Sequence, residues 1–539
     1  MYIVLSPGRA RAYSDDGAAL SDEAPLDVAA LVAEHPEARW VWDDTRRWYP
    51  QLLAAGVRVE RCVDLRLSHA ILRHSTLTAT SELARAAPGP WDSAALIEEP
   101  RERGTALFDL EEPEPEAEAD PVDEWMRQRA VVAESTDPGR ISLLLAAESA
   151  GALIACEMRH FGLPLDSKRH EQLLEELLGP RPRHGERPAK LEALKGVLVE
   201  KLETEFNPDS PADLLKALQR AGLQVRSTSR WELREIEHPV IEPLIAYKKL
   251  SRLMSANGWN WLETWVAEGR FRPEYLPGGV VTGRWAASGG GALQLPKQIR
   301  GAVVADPGWK LVVADAAQLE PRVLAALSKD QRMAKAGEGD MYEGIVASGA
   351  VETRAQAKIA LLGAMYGATT GESGRLLPAL GKAFPQALAL VERAARAGER
   401  GEIVTTHLGR SSPAPAQNWA AESSIDAAAE SRARSQARSW GRFTRNFIVQ
   451  GTAAEWALCW MAGLRGSLWN MVDAAPALRP HLVFFLHDEV IVHTPAELAD
   501  EVAASIRQAA AEAGRLLFGD LPVTFPVTTV IVDNYGEAK

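Results

Sequence analysis

Cysteine is scarce. The 539 residues include only Cys62, Cys156 and Cys459, far apart in the chain. That spacing excludes a disulfide framework and a cysteine-based zinc site. No run of eighteen or more apolar residues occurs, so neither a membrane span nor a membrane partner is expected. The start, "MYIVLSPGRARAYSDDG", lacks the basic stretch and long apolar core of a signal peptide. A cytoplasmic monomer is expected. An excess of positive charge is also missing, since the formal net charge is -13. Taken alone, that balance argues against a nucleic-acid partner. The acidity is local, however. Glu98 to Glu124 carries twelve acids and two arginines, and the remainder is near neutral, so local patches decide.

Apolar residues make up 46% of the chain, ample for packed cores, and the length implies several domains. Residues 1–97 mix short apolar strands ("YIVLS", "RWVWDD") with helical patterns and predict a small α/β domain. Residues 98–124, rich in Glu and Pro, predict a solvated linker. From about Glu124 to Glu268 the periodicity is mostly helical. Strand-like runs then appear at "WKLVVADA" and "HLVFFLHDEVIVHT". The second reads as one buried strand, Val483 to Thr494, with His487, Asp488 and Glu489 in its middle. Adjacent carboxylates in an apolar strand are costly unless something compensates them. The first run ends in Asp315. Two strand-borne carboxylates suit a shared divalent cation with oxygen ligands, although either motif alone is equally compatible with a solvent-facing acid.

In "TRAQAKIALLGAMYG", Arg354, Lys358, Leu362 and Tyr366 recur every four residues and form one stripe on a helix. Ile359, Leu361 and Met365 lie off it and can hold the helix down. Two cations, an apolar residue and an aromatic suit a nucleoside triphosphate. The competing reading is an amphipathic helix with solvated cations. The run "SRARSQARSWGRFTRN" interleaves Arg432, Arg434, Arg438, Arg442 and Arg445 with Trp440 and Phe443, as a phosphate-tracking helix would.

"DAAQLEPR" (Asp315 to Arg322), "RAQAKIALLGAMYG" (Arg354 to Gly367) and "HDE" (His487 to Glu489) resemble motifs A, B and C of family A DNA polymerases. In matching order, "FNPDSPADLLKAL" resembles the thumb entry, "TGRWAAS" and "LQLPKQIR" resemble palm segments that contact template and primer, and "RNFIVQGTAAE" resembles the segment before motif C. The resemblance runs from about Leu144 to Lys539. It implies a multidomain α+β and α/β fold: a right-hand polymerase domain over 125–539 behind the small exonuclease-like domain. Its thumb would span about 140–270, its palm 271–330 and 446–539, and its fingers 331–445.

The resemblance also implies template-directed addition of dNTPs to a primer 3′-hydroxyl, with primer–template DNA as partner and two Mg²⁺ ions, replaceable by Mn²⁺, as cofactors. Asp315, Asp488 and the Ala316 carbonyl would hold the metals, with Glu489 as accessory acid. Arg354 and Lys358 would hold the triphosphate. Leu362, Tyr366, Gln318 and Glu320 would line the nucleotide site, and Glu320 would crowd a ribose 2′-hydroxyl. Thr282, Arg284, Gln294, Arg300, Arg442, Asn446, Gln450 and His487 would contact DNA. The chain departs from the family's motif A at Ala316, Ala317 and Pro321, and from motif B at Ala355 and Leu362, which puts sugar packing in question. In the N-terminal domain the proofreading carboxylates are missing and Asp64 lacks acidic companions, so a vestigial, inactive exonuclease is expected. No 5′-nuclease domain is expected ahead of it. The alternatives are a catalytically weak DNA-binding protein that retains the fold and an active bifunctional 3′–5′ exonuclease/polymerase.

Overall fold

The computed structural model describes residues 1–23, 27–93, 120–183, 185–234, 236–289, 291, 295–368, 371–415 and 427–538. Two compact units emerge. One comprises Met1–His160, Tyr275–Ala286 and Val312–Val530; the other comprises Phe161–Glu274, Ala287–Leu311 and Ile531–Lys539.

At the start of the first unit, β1 (Tyr2–Ser6), β2 (Arg9–Tyr13), β3 (Ala19–Glu23), β4 (Arg39–Trp42) and β5 (Arg61–Asp64) form one sheet in the order β3-β2-β1-β4-β5. The first three strands pair antiparallel, whereas β4 runs parallel to both β1 and β5. Alternation sorts the side chains by face. Ile3, Leu5, Trp40 and Trp42 join one core with Leu153 and Cys156, while Val4 and Val41 join another with Trp91, Val122 and Trp125.

One expectation changes here. The predicted linker reaches Glu124, yet Asp120 caps a helix that begins at Pro121 and runs to Glu134. An Asp cap followed by Pro is a helix start, and the surrounding run of acids hides it. Val122 and Trp125 of this helix pack on the sheet, so it belongs with the α/β domain. Residues 98–119 lie outside the described residues. The helix Pro138–Phe161 is long and apolar enough to cross a membrane, but most of its apolar stretch is buried in the protein. It is a core helix, built from an apolar stretch that charged residues interrupt.

Asp64 ends β5 and caps the helix Leu65–His74. It accepts hydrogen bonds from the Leu67 N–H and from the Thr45 N–H and Oγ1. Burial, then the charge of neighbouring Asp44, pushes its carboxyl up to about 7, so Asp64 has an acidic companion, contrary to the expectation from sequence.

The second unit is mainly helical, with helices Ser167–Leu178, Ala189–Leu202, Pro211–Arg220 and Ile241–Asn257. It also holds a small sheet of β6 (Leu163–Pro164), β7 (Val266–Ala267) and β8 (Arg270–Phe271) in the order β6-β8-β7. A ribbon of β9 (Glu274–Leu276) and β10 (Ala286–Gly289) follows in the chain.

A four-stranded sheet has the order β12-β13-β11-β14, from β11 (Trp309–Ala316), β12 (His481–Leu486), β13 (Glu489–Pro495) and β14 (Val527–Val532). The stretch read as one strand is therefore a hairpin. Leu486 pairs with Glu489, leaving His487 and Asp488 as the turn. His487 adopts the left-handed conformation, with φ of 60°. No Gly or Asn marks the turn, so continuous strand was the natural sequence reading.

Candidate active site

The segments that bear the acids singled out from sequence meet at the β12–β13 turn. The Ala316 N–H donates to the Asp488 carbonyl at 2.8 Å, which fastens the end of β11 to the turn. Asp315 and Asp488 thus lie on adjacent segments, both half-buried, while Glu489 is 2% exposed. Among the described residues no three His, Cys, Asp or Glu side chains converge as a ready-made metal cage. Asp315, Asp488 and the Ala316 carbonyl, the donors expected from the sequence, are all oxygens and too few to fill a metal's coordination shell. Mg²⁺ fits that set, since it keeps waters and takes its remaining ligands from phosphates.

After β11 the chain turns sharply. Gln318 is left-handed, with φ of 53°, and precedes the helix Leu319–Ser328. Pro321 lies in the first turn of that helix, where its missing N–H is not needed. Gln318, predicted to line the nucleotide site, is engaged with protein. Its Oε1 accepts from the Met341 N–H at 3.1 Å and from Arg322, and its Nε2 donates to Asp340 at 2.7 Å. Arg322 received no role from the sequence. It is 1% exposed and donates to the carbonyls of Ala317, Gly337, Gly339 and Thr524. A buried arginine with four carbonyl partners fixes the loops around the acids.

The predicted stripe exists. Thr353 and Gln356 form a capping box at the start of the helix Arg354–Tyr366. Ala357, Ala360, Leu361, Ala364 and Met365 are buried. Arg354, Lys358 and Tyr366 are exposed, and Leu362 is half-buried. Arg354 donates to Asp340 at 2.8 Å and lies over the Tyr342 ring at 5.2 Å. Burial raises the Asp340 carboxyl, but the hydrogen bonds from Arg354, the Glu343 N–H and Gln318 outweigh it and hold the pKa down at about 2. Asp340, which also caps the helix Met341–Ala347, was missed in the sequence because an N-cap acid looks the same whether or not it binds an arginine.

Glu320 gathers several predicted residues. It forms an ion pair with Arg284, and the Tyr366 hydroxyl donates to its Oε2 at 3.0 Å. Thr282 Oγ1 donates to Gln450 Oε1 at 2.9 Å. Burial, then the Glu320 charge, raises the Tyr366 phenol, while Arg284 and Gln450 pull against them. His487 is exposed at its turn, yet surrounding protein and the Arg284 charge lower its imidazole pKa.

Arg442, Asn446 and Gln450 recur every four residues on the 44-residue helix Ala427–Asn470. The Arg442 stem crosses Gly367, where a Cβ would come within 2.8 Å of its Cγ. Asn446 Oδ1 is buried without a hydrogen-bond partner among the described residues. Arg432, Arg434, Arg438 and Arg442 are exposed. Arg445 differs. It is 6% exposed, donates to the Ala364 carbonyl at 2.9 Å and pairs with Glu392, so it joins helices rather than facing outward. In the second unit Arg300 is 9% exposed, with its guanidinium 4.3 Å from the Tyr535 ring centroid. There its guanidinium packs against that ring. Gln294 lies outside the described residues.

The family model for DNA polymerase family A matches residues 184–537. The chain belongs to that family. It is similar to the thermostable DNA polymerase I of Thermus filiformis, 29% identical over 323 residues, which cover 52% of this chain and 35% of that protein. DNA polymerase I of Pseudomonas aeruginosa is 26% identical over 390 residues, or 65% of this chain and 40% of that one. The match thus spans little more than a third of these relatives' length. Among solved structures, the POL domain of Pol1 from M. smegmatis, in complex with DNA primer-template and dNTP, superposes with a TM-score of 0.68 at 18% identity, covering 98% of this chain and 93% of that one. The fold is that of a family A polymerase domain.

Proposed function

We propose that this protein is a template-directed DNA polymerase that adds dNTPs to a primer 3′-hydroxyl and releases pyrophosphate. The observation that supports the reading is the hydrogen bond from Ala316 to Asp488, because it sets the segments that bear Asp315 and Asp488, from distant motifs, side by side. In this reading β11 to β14 belong to the palm, the Arg354–Tyr366 helix to the fingers, and most of residues 161–270 to the thumb.

Asp315, Asp488 and the Ala316 carbonyl would hold two Mg²⁺ ions. Such a pair polarises the attacking hydroxyl and neutralises charge on the leaving oxygen. Arg354 and Lys358 bind the triphosphate as fork and point charge. To do so Arg354 exchanges the Asp340 carboxylate for phosphate oxygens. Lys358 is placed to protonate the departing pyrophosphate, and Arg284, Arg442, Asn446 and Gln450 orient primer and template. Catalysis of this kind is mainly positioning and charge stabilisation.

The test is primer extension by the purified chain with each dNTP in turn. Template-coded products support the reading, and binding without extension favours the DNA-binding alternative. Lys358→Ala is expected to lower the maximal incorporation rate roughly tenfold, the scale of one charge-assisted hydrogen bond, with little change in DNA affinity. A changed DNA Kd at an unchanged rate would move Lys358 from the nucleotide to the duplex.

Proofreading is not expected. The acids that follow β4 and the one that ends β5 are held by local donors. Asp43 accepts from Arg47 and Trp48, Asp44 accepts from Arg46, and Asp64 accepts from Thr45 and Leu67. With Mg²⁺ or Mn²⁺ and no dNTP, a labelled 3′ end should keep its length. Metal-dependent shortening that survives Asp315→Ala would reveal a separate nuclease site.

A further inference from the structure

The turn that carries Thr282 and Arg284 rests on a buried ion pair. Glu148, from the helix Pro138–Phe161, is 1% exposed and pairs with Arg410. Above the pair run residues 278–285, closed by hydrogen bonds from Gly283 N–H to Val280 O at 2.7 Å and from Val280 N–H to Arg284 O at 3.1 Å. Two glycines touch the pair. Gly283 has φ of +84°, and a Cβ there would come within 2.5 Å of Arg410 Nε; Gly278 has φ of +62°, and its Cβ would lie 3.3 Å from Glu148 Oε2. Both positions adopt left-handed backbone, where a side chain is strained, and a Cβ at either would crowd the pair, so the turn lies close against the guanidinium and carboxylate.

The segment bearing Arg410 is fastened elsewhere. Ser75 Oγ donates to the Gly409 carbonyl at 2.7 Å, the Thr76 N–H donates to Ser411 Oγ at 2.9 Å, and buried Glu455 accepts from the Leu408 N–H at 2.9 Å. The support therefore draws on the N-terminal domain and on a helix that begins before the family match. Its upper face delivers Thr282 to Gln450 and Arg284 to Glu320.

We propose that Arg410, seated on Glu148, is a positioning residue that holds the 278–285 turn in the geometry at which Arg284 restrains Glu320 and Thr282 restrains Gln450. This rests on the polymerase reading for its kinetic consequences. A loosened turn lets Arg284 leave Glu320, so nucleotide binding and sugar choice suffer before chemistry does.

The experiment uses the full chain with Arg410→Ala, Arg410→Lys and Glu148→Gln, each checked for a cooperative thermal transition. Hydrogen–deuterium exchange across 278–285 should rise at least tenfold in Arg410→Ala and less in Arg410→Lys. In single-nucleotide incorporation, Arg410→Ala should raise KM for dNTP about tenfold, lower kcat less, and narrow the dNTP/rNTP efficiency ratio. Because Glu320 transmits the effect, Arg410→Ala should not narrow that ratio further in a Glu320→Gln background, whereas general destabilisation would add. If Arg410→Ala does not fold, the Lys and Gln variants carry the same comparisons. Unchanged exchange across the turn overturns the proposal, as does a ratio change that adds to that of Glu320→Gln. A wild-type chain that extends no primer refutes the polymerase reading, and the exchange arm still judges whether Arg410 on Glu148 holds the turn.

Discussion

Asp315→Ala and Asp488→Ala should each lower primer extension by on the order of 10³-fold, the several kcal/mol of charge stabilisation that a bound metal supplies. Primer–template affinity should stay the same or tighten slightly. Affinity for duplex comes chiefly from cations on phosphates, and deleting a carboxylate beside a polyanion removes repulsion. The local backbone should survive both changes, because the contact between β11 and the hairpin runs from the Ala316 N–H to the Asp488 carbonyl and uses neither side chain. The same variants separate the polymerase from its main rival, a DNA-binding protein that keeps the fold, for which both acids would be dispensable. The measurement pairs single-turnover incorporation with a DNA-binding titration. Wild-type extension by either variant would end the two-metal assignment.

What the sequence disclosed was mostly what periodicity and short motifs encode. The stripe of Arg354, Lys358, Leu362 and Tyr366 follows from helical spacing, and its helix is present with both caps. Asp315 was placed at a strand end and is there. The hairpin at His487 and Asp488 was not visible, because a left-handed His leaves no turn signature in an apolar run. Nor did the sequence separate Arg445 from its neighbours. All five arginines of that run look alike in one dimension, yet one faces Ala364 and Glu392 while the rest are exposed. The supports of the site escaped for a related reason. Arg322 binds carbonyls, which any sequence supplies, and Arg410 meets Glu148 across 262 residues. Long-range pairing of single residues has no period to read.

Sugar choice should relax when Glu320 is removed. Ala316 and Leu362 occupy places where the family resemblance leads one to expect aromatic rings, which predicts a loosely confined carboxylate. The structure supplies other restraints. Glu320 has a side chain 15% exposed, paired with Arg284 on one side and hydrogen-bonded by Tyr366 on the other. A carboxylate held by two partners does not yield freely to a ribose 2′-hydroxyl, which would have to displace it or remain unpaired. Selectivity for dNTP should therefore be present, and Glu320→Ala should reduce it by on the order of 1–3 kcal/mol, the range for a misplaced or unpaired buried polar group. Glu320→Gln keeps the volume and the acceptor for Tyr366 but loses the charge that holds Arg284, so it should fall between. A purely structural Glu320, serving as an acid in the first turn of its helix, would lower the melting temperature in both variants and leave sugar choice alone. The deciding quantity is the ratio of kcat/KM for dNTP and rNTP. An unchanged ratio in Glu320→Ala would remove Glu320 from the nucleotide site and confine the motif A assignment to Asp315.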